Sequence, residues 1–248
     1  MTFIVLNLIG KKLKLYYFST SLWQLIFTKN ILLILGFVIL SLLTYGQENK
    51  YKEIIDQLLI IDNNDIKYRI QVQELGEKFG LFSKEVDTVW LLMNKTDSIN
   101  QVKVKSILDK YGWLGIDDVG IQCNAALFRV IQHSDIKTQE QYLPIMQDAV
   151  KNRKANPSQL TLLEDRILLR QGKKQIYGSQ IGFDSKTKLY YVSPLEDPDN
   201  VDKRRGEIGL EPLSIVLENY FETWHLKWDV GQYKKDLPTI LEMFKPAK

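Results

Sequence analysis

A single cysteine in 248 residues, Cys123, excludes an intrachain disulfide and any zinc site built on several thiolates. Only two histidines are present, His133 and His225, and neither has a paired carboxylate at ligand spacing, so no metal and no cofactor is expected. P-loop, GxGxxG, nucleophile-elbow and HExxH patterns are all missing, which removes the commonest phosphate-cradle, dinucleotide, serine-hydrolase and zinc-protease chemistries. Acidic residues are absent from residues 1–46, which hold four lysines, Lys11, Lys12, Lys14 and Lys29. Those four charges turn the chain's net +3 into −1 for the rest. The pI near 8.7 is therefore a property of the leader. The body lacks the basic excess and the run of Lys and Arg that phosphate-backbone binding requires, so no nucleic acid is expected as a partner.

What is present is ordinary for a globular chain: 45% hydrophobic and 25% charged residues. The main apolar run, ILLILGFVILSLL at 31–43, follows Lys29 and is followed at once by charge at Glu48 and Lys50. It is shorter than the ~20 residues of a spanning helix and close to the apolar core of a secretory signal. Thr44 and Gly46 stand at the minus-three and minus-one places of a cut before Gln47. Export to a periplasmic or external compartment with cleavage near Gly46 is the expectation. The length of residues 1–29, unusual for a signal, leaves open an uncleaved anchor over 22–45 as the alternative. The membrane enters only through this segment.

Behind it the periodicity is helical. Ile54, Leu58 and Ile61 are spaced for one helix over 50–61, and a second polar helix is expected from Asp65 to a stop at Gly76 or Gly80. Ser83 has the form of an N-cap for a helix carrying Val86, Val89, Trp90 and Met93, and 98–111 makes another that ends at Gly112. Asp117 and Asp118 open a helix with Ile121, Ala125, Phe128 and Ile131 inward; Thr138 with Gln141 reads as a capping box; Asn156-Pro157 starts the next helix. The period then changes to strands over 175–182 and 188–192, joined by a turn at 184–187. Asp197-Pro198 predicts a short helix, Pro212 opens a last one, and 227–248 is either a packed extension or a partner-binding segment. The fold class is mainly α: a single multi-helix domain with one short β-hairpin at about 175–192, preceded by an N-terminal signal or anchor helix. The segments are 1–46, 47–226 and 227–248.

Several strings occur together in order: Tyr111-Gly112-Trp113, Gln132-His133-Ser134-Asp135, Glu164-Asp165-Arg166-Ile167, Gln175-Ile176-Tyr177-Gly178-Ser179-Gln180, Asp197-Pro198, Arg204-Arg205 and Gly209-Leu210. In this combination the chain resembles a bacterial domain-of-unknown-function family, number 6624, over roughly residues 65–220. The resemblance implies Thr at the place of Ser179 and Pro at that of Leu114 in many members, a single domain, and no assigned reaction.

Among residues able to carry chemistry, His133 stands at the end of a helix beside Gln132 and Asp135, where the helix dipole and a carboxylate are expected to raise its pKa. It is either an acid or base or a cap on the last carbonyls. Arg166, if buried, needs a partner, for which Asp65, Glu164, Asp135 or an anionic ligand are candidates. Gln175, Tyr177 and Gln180 put polar groups on both faces of the expected strand, and Arg204 and Arg205 are either carboxylate or phosphate clamps or exposed helix-end charges. Three readings follow. One is a binding or interaction module with a polar pocket near the hairpin, taking a small molecule or a protein. Another is an enzyme, such as a hydrolase, using His133 on an anionic substrate. The third is a purely structural polar network.

Overall fold

The computed structural model describes residues 4–9, 12–17, 29, 50–184, 186–219 and 225–244. The apolar run 31–43, the cleavage position at Gly46 and the aromatic residues Tyr220, Phe221 and Trp224 lie outside the described residues. The chain forms two compact units, Met1–Lys52 and Glu53–Lys248. In the first, the backbone of β1 (Ile4–Ile9) pairs antiparallel with β2 (Lys12–Tyr17), a hairpin that the sequence reading did not anticipate. Among the described residues no helix is long and apolar enough to cross a membrane.

The second unit opens with two long helices, α1 (Lys52–Phe79) and α2 (Lys84–Tyr111), each of 28 residues and so about 42 Å long. The sequence suggested breaks in both, near 62–65 and near 94–98. The helices run through because tertiary pairing outweighs weak local propensity. Asp62 and Asp65, poor helix formers, are buried and face Arg129 and His133 of another helix, and Asp97 of α2 takes Arg69 of α1, while Ser98 returns its hydroxyl to the Asn94 carbonyl at 2.9 Å. The expected caps are in place at both ends of α2. Ser83 Oγ accepts from the Val86 amide at 3.3 Å, and Gly112 takes φ 68°, a region in which side chains are strained.

α3 (Ile116–Gln132) is interrupted at Gly120, where φ 81° and ψ 163° break the helical register. That break turns Ile121, expected inward, out to solvent at 73% exposure, while Phe128 and Ile131 are buried as expected and Cys123, Leu127 and Val130 join them in the core. α4 (Ile136–Lys151) is capped by Asp135, whose carboxylate accepts from the Thr138 amide at 3.0 Å, so Thr138 is the third helical residue and not the cap. Pro144 sits inside this helix. α5 (Pro157–Arg170) begins as expected, with Asn156 accepting from the Ser158 amide at 2.8 Å.

The hairpin of this unit is shorter than its pattern suggested: β3 (Ile181–Asp184) pairs antiparallel with β4 (Leu189–Val192). Residues 175–180 are not strand; their only ladder contact is a single parallel bridge from Gln175 to Leu195. A 3₁₀ turn (Pro198–Asn200) leads into α6 (Val201–Glu207), followed by α7 (Leu213–Asn219) and α8 (Val230–Met243). Asp197 is not the cap it resembles, since its backbone is left-handed at φ 41° and its side chain makes no capping bond. Tyr233 and Ile240 of α8 join Val192, Leu195, Val201, Leu213 and Leu217 in one apolar cluster beneath the hairpin.

Candidate functional site

A polar seam runs between α1 and α3. Asp62 and Asp65 lie a turn apart on α1, and Arg129 and His133 lie a turn apart on α3, so each helix presents two polar groups to the other. Asp62 pairs with Arg129 and accepts from Gln122 Nε2 at 2.9 Å. Asp65, 2% exposed, is gripped in bidentate fashion by Arg69, Nε at 3.0 Å and Nη2 at 2.8 Å. Arg69 also reaches Asp97 of α2 at 3.0 Å. His133 Nδ1 stands 3.4 Å from Asp65 Oδ1.

The charges in this seam settle its protonation. Burial alone would raise Asp65, but the close approach of His133 and the hydrogen bonds from Arg69 outweigh it and hold the carboxyl down to about 2. For His133 the balance runs opposite to the sequence expectation. Burial pushes the imidazolium down, the Arg69 and Arg166 cations push further, and Asp65 only partly compensates, so the ring is neutral at neutral pH. Nδ1 is sealed from solvent, yet the ring is 24% exposed. Its open edge lines a recess of about 240 Å³ together with Asp97, Ser98, Gln101 and Asp135.

The segment 175–180 is wrapped around another buried carboxylate. Asp165 of α5 accepts from the amides of Ile176 at 2.7 Å, Tyr177 at 3.1 Å and Ser179 at 3.0 Å. Gly178, at φ 70°, allows this curl, and an added Cβ there would stand 3.0 Å from Leu213. Gln175 is fully buried and closed on itself: its oxygen accepts from the Gln180 amide at 2.8 Å, and its nitrogen donates to the carbonyls of Gln180 and Ser193 at 3.0 and 2.8 Å. Arg204 and Arg205 bind no carboxylate pocket. Arg204 donates to the carbonyls of Ile176, Glu196 and Asp197, with an exposed contact to the Asp197 carboxylate, and Arg205 donates to those of Tyr177 and Glu211. Tyr177 is thus held through its backbone on both sides, and its phenol is raised by burial.

Arg166 is different. No carboxylate among the described residues comes within 4.0 Å of it, and its buried Nε has no hydrogen-bond partner. Burial, with Arg170 and Arg69 as like-charged neighbours, lowers it to about 10. The three candidates that the sequence offered, Asp65, Glu164 and Asp135, are engaged with Arg69, Gln147 and the α4 cap. Arg166 lines an open groove of about 590 Å³ with Arg170, Gln180, Tyr191 and Phe244, among others. Arg170 is partly committed, donating to the Ser134 carbonyl at 2.6 Å. Gln180 anchors on the Leu162 carbonyl at 3.1 Å.

His133, Arg166 and Gln180 are therefore brought to one region, the first two close enough to influence each other's charge, whereas Gln175, Tyr177, Arg204 and Arg205 build the loop beside it. Sequence reading missed the roles of Asp62, Arg69 and Arg129. The signal available was Asp62, Asp65 and Arg69 at 3- and 4-residue spacing within an otherwise amphipathic helix. No group of three or more His, Cys, Asp or Glu among the described residues is placed to hold a metal ion.

Fold and groove define a mainly helical domain with a hairpin-flanked polar groove. The chain belongs to a family of unknown function, number 6624, whose model matches residues 52–228. Neither a curated protein nor a solved structure matches significantly.

Proposed function

We propose that the domain is a binding module that takes a small anion-bearing ligand in the groove at Arg166. The observation that carries this reading is the guanidinium itself, desolvated enough to lose basicity, with its buried Nε unpartnered and no carboxylate within reach among the described residues. Leaving a cation in that state costs stability unless something completes it, and a planar fork of donors facing a groove suits a carboxylate or phosphate. For Gln175, Tyr177, Arg204 and Arg205 the closed network supports a structural role instead. The place of action proposed is outside the cytoplasmic membrane, on the strength of the run 31–43; the mass of the mature N-terminus tests it.

The test is Arg166→Met, followed by unfolding and by calorimetric titration with acetate and with inorganic phosphate. The variant is expected to lose anion binding while keeping or gaining stability, by about 1 kcal/mol, because an apolar side chain removes an uncompensated charge. A loss of several kcal/mol would make the guanidinium structural and end this reading. A second reading, enzymatic, is favoured by one observation: a neutral imidazole set against Asp65 with an open edge on a recess. Its mark would be an activity on anionic substrates that vanishes in His133→Gln while anion binding persists.

A further inference from the structure

The groove at Arg166 is not only cationic. Its walls include Ile181 and Tyr191 from the hairpin, Leu169 from α5 and Phe244 from the end of α8. Tyr191 lies against Gly182, where a built Cβ would stand 2.4 Å from the ring, so the absence of a side chain at 182 gives the aromatic ring its place in the wall. Phe244 is held by its amide, which donates to the Ile240 carbonyl at 2.8 Å.

We infer that the ligand is an amphipathic monocarboxylate, its carboxylate on Arg166 and its apolar body against Tyr191, Ile181 and Phe244. This rests on the anion reading above. Three observations select the class. The ionised groups of the lining are Arg166, Arg170 and Asp135, one positive charge in excess, which a monoanion neutralises and a phosphate dianion overshoots. Asp135 stays ionised because the Thr138 and Gln101 hydrogen bonds hold it down to about 2, so it repels any second negative charge. A polar ion alone would leave the apolar walls wet, whereas a hydrocarbon body covers them. The volume, about 590 Å³, is that of sites for small organic ligands. Arg166 lies within the segment the family model matches and Phe244 beyond it, so the two ends of the ligand meet different parts of the chain.

The experiment is calorimetric titration of the full chain with acetate, hexanoate, 3-phenylpropanoate, hexanamide and inorganic phosphate, repeated on Arg166→Gln and Phe244→Ala, with the unfolding temperature of each variant recorded alongside. Hexanoate and 3-phenylpropanoate are expected to bind at least about tenfold tighter than acetate, since each buried methylene adds a few-fold. Hexanamide and phosphate should bind weakly or not at all. Arg166→Gln should abolish carboxylate binding, and Phe244→Ala should bring the affinities for hexanoate and 3-phenylpropanoate down toward that for acetate. If acetate or phosphate binds through Arg166 and the tail adds nothing, the amphipathic class is overturned and the anion reading stands. If hexanoate binds equally to Arg166→Gln, or if no anion binds a folded wild type, both fall.

Discussion

His133 stands between groups that pull its titration in opposite directions. Facing it are Asp65 and Arg69 from α1 and Arg166 from α5, with Asp97 of α2 lining the same recess. Burial and the cations win, so its folded pKa lies below the ordinary 6.5. As the pH falls through 6.5, the unfolded chain therefore takes up a proton that the folded chain refuses, and stability must drop until the folded ring is protonated. Asp65 adds a lower window: held to about 2 against an ordinary 3.8, it loses its contribution as the pH falls from about 4 toward 2. Urea unfolding across pH 4.5–8 should show stability declining below about 6.5 in the wild type and a flatter profile there in His133→Gln. A wild type more stable at pH 5.5 than at 7.5 would mean that Asp65 dominates and that the imidazole is charged in the fold. The sequence placed His133 correctly at a helix end beside a carboxylate, yet it gave the wrong direction for the shift. The dipole and Asp135 are local and visible in one chain segment, whereas Arg69 and Arg166 arrive from helices about 64 and 33 residues away in sequence.

At the scale of elements, the features read correctly were those with a local cause. The Ser83 cap, the Gly112 stop and the Asn156-Pro157 start each depend on groups within a few residues of one another. Of the features read wrongly, the α4 cap at Asp135, the Gly120 break and the turn at Asp197 are local, and the larger ones depend on distant partners. The stretch at 62–65 of α1 faces Arg129 and His133 from α3, Asp97 of α2 meets Arg69 from α1, and the curl of 175–180 needs Asp165 from the preceding helix. In sequence that segment alternates like a strand, but its amides turn toward one carboxylate and so leave no ladder to pair. Asp165→Asn tests whether the carboxylate organises the loop. Replacing one acceptor oxygen by an NH₂ sets donor against donor, and the expected loss is about 2–3 kcal/mol, measured by denaturant unfolding. Hydrogen exchange at Ile176, Tyr177 and Ser179 should accelerate more than at α5 amides. Equal protection in the variant would show that Arg204 and Arg205, on the opposite side, suffice to hold the curl.

At the scale of the second unit, α8 joins the hairpin to the helices and places Phe244 in the groove. Its attachment is polar as well as apolar. The Tyr233 hydroxyl accepts from the buried Leu195 amide at 2.7 Å and donates to the Ser193 carbonyl at 3.2 Å, while its ring packs on Trp228 at a centroid distance of 5.2 Å. Ser193 also receives Gln175, so one carbonyl ties α8 to the curl that surrounds Asp165. Tyr233→Phe keeps the ring and removes only the hydroxyl, leaving the Leu195 amide buried without an acceptor; the expected cost is about 1–3 kcal/mol. Ending the chain after Trp228 takes the ring and Ile240 as well, uncovers Leu195, Leu213 and Leu217, and should cost more than the point variant. Both changes are read by thermal unfolding, and the binding of 3-phenylpropanoate to each separates two roles for the helix. Tyr233→Phe leaves Phe244 in the chain and should bind the ligand at temperatures where it is folded, whereas the shortened chain should not gain affinity from the tail even where it folds. Unchanged unfolding temperatures in both would instead make α8 a loosely held segment free to engage a partner.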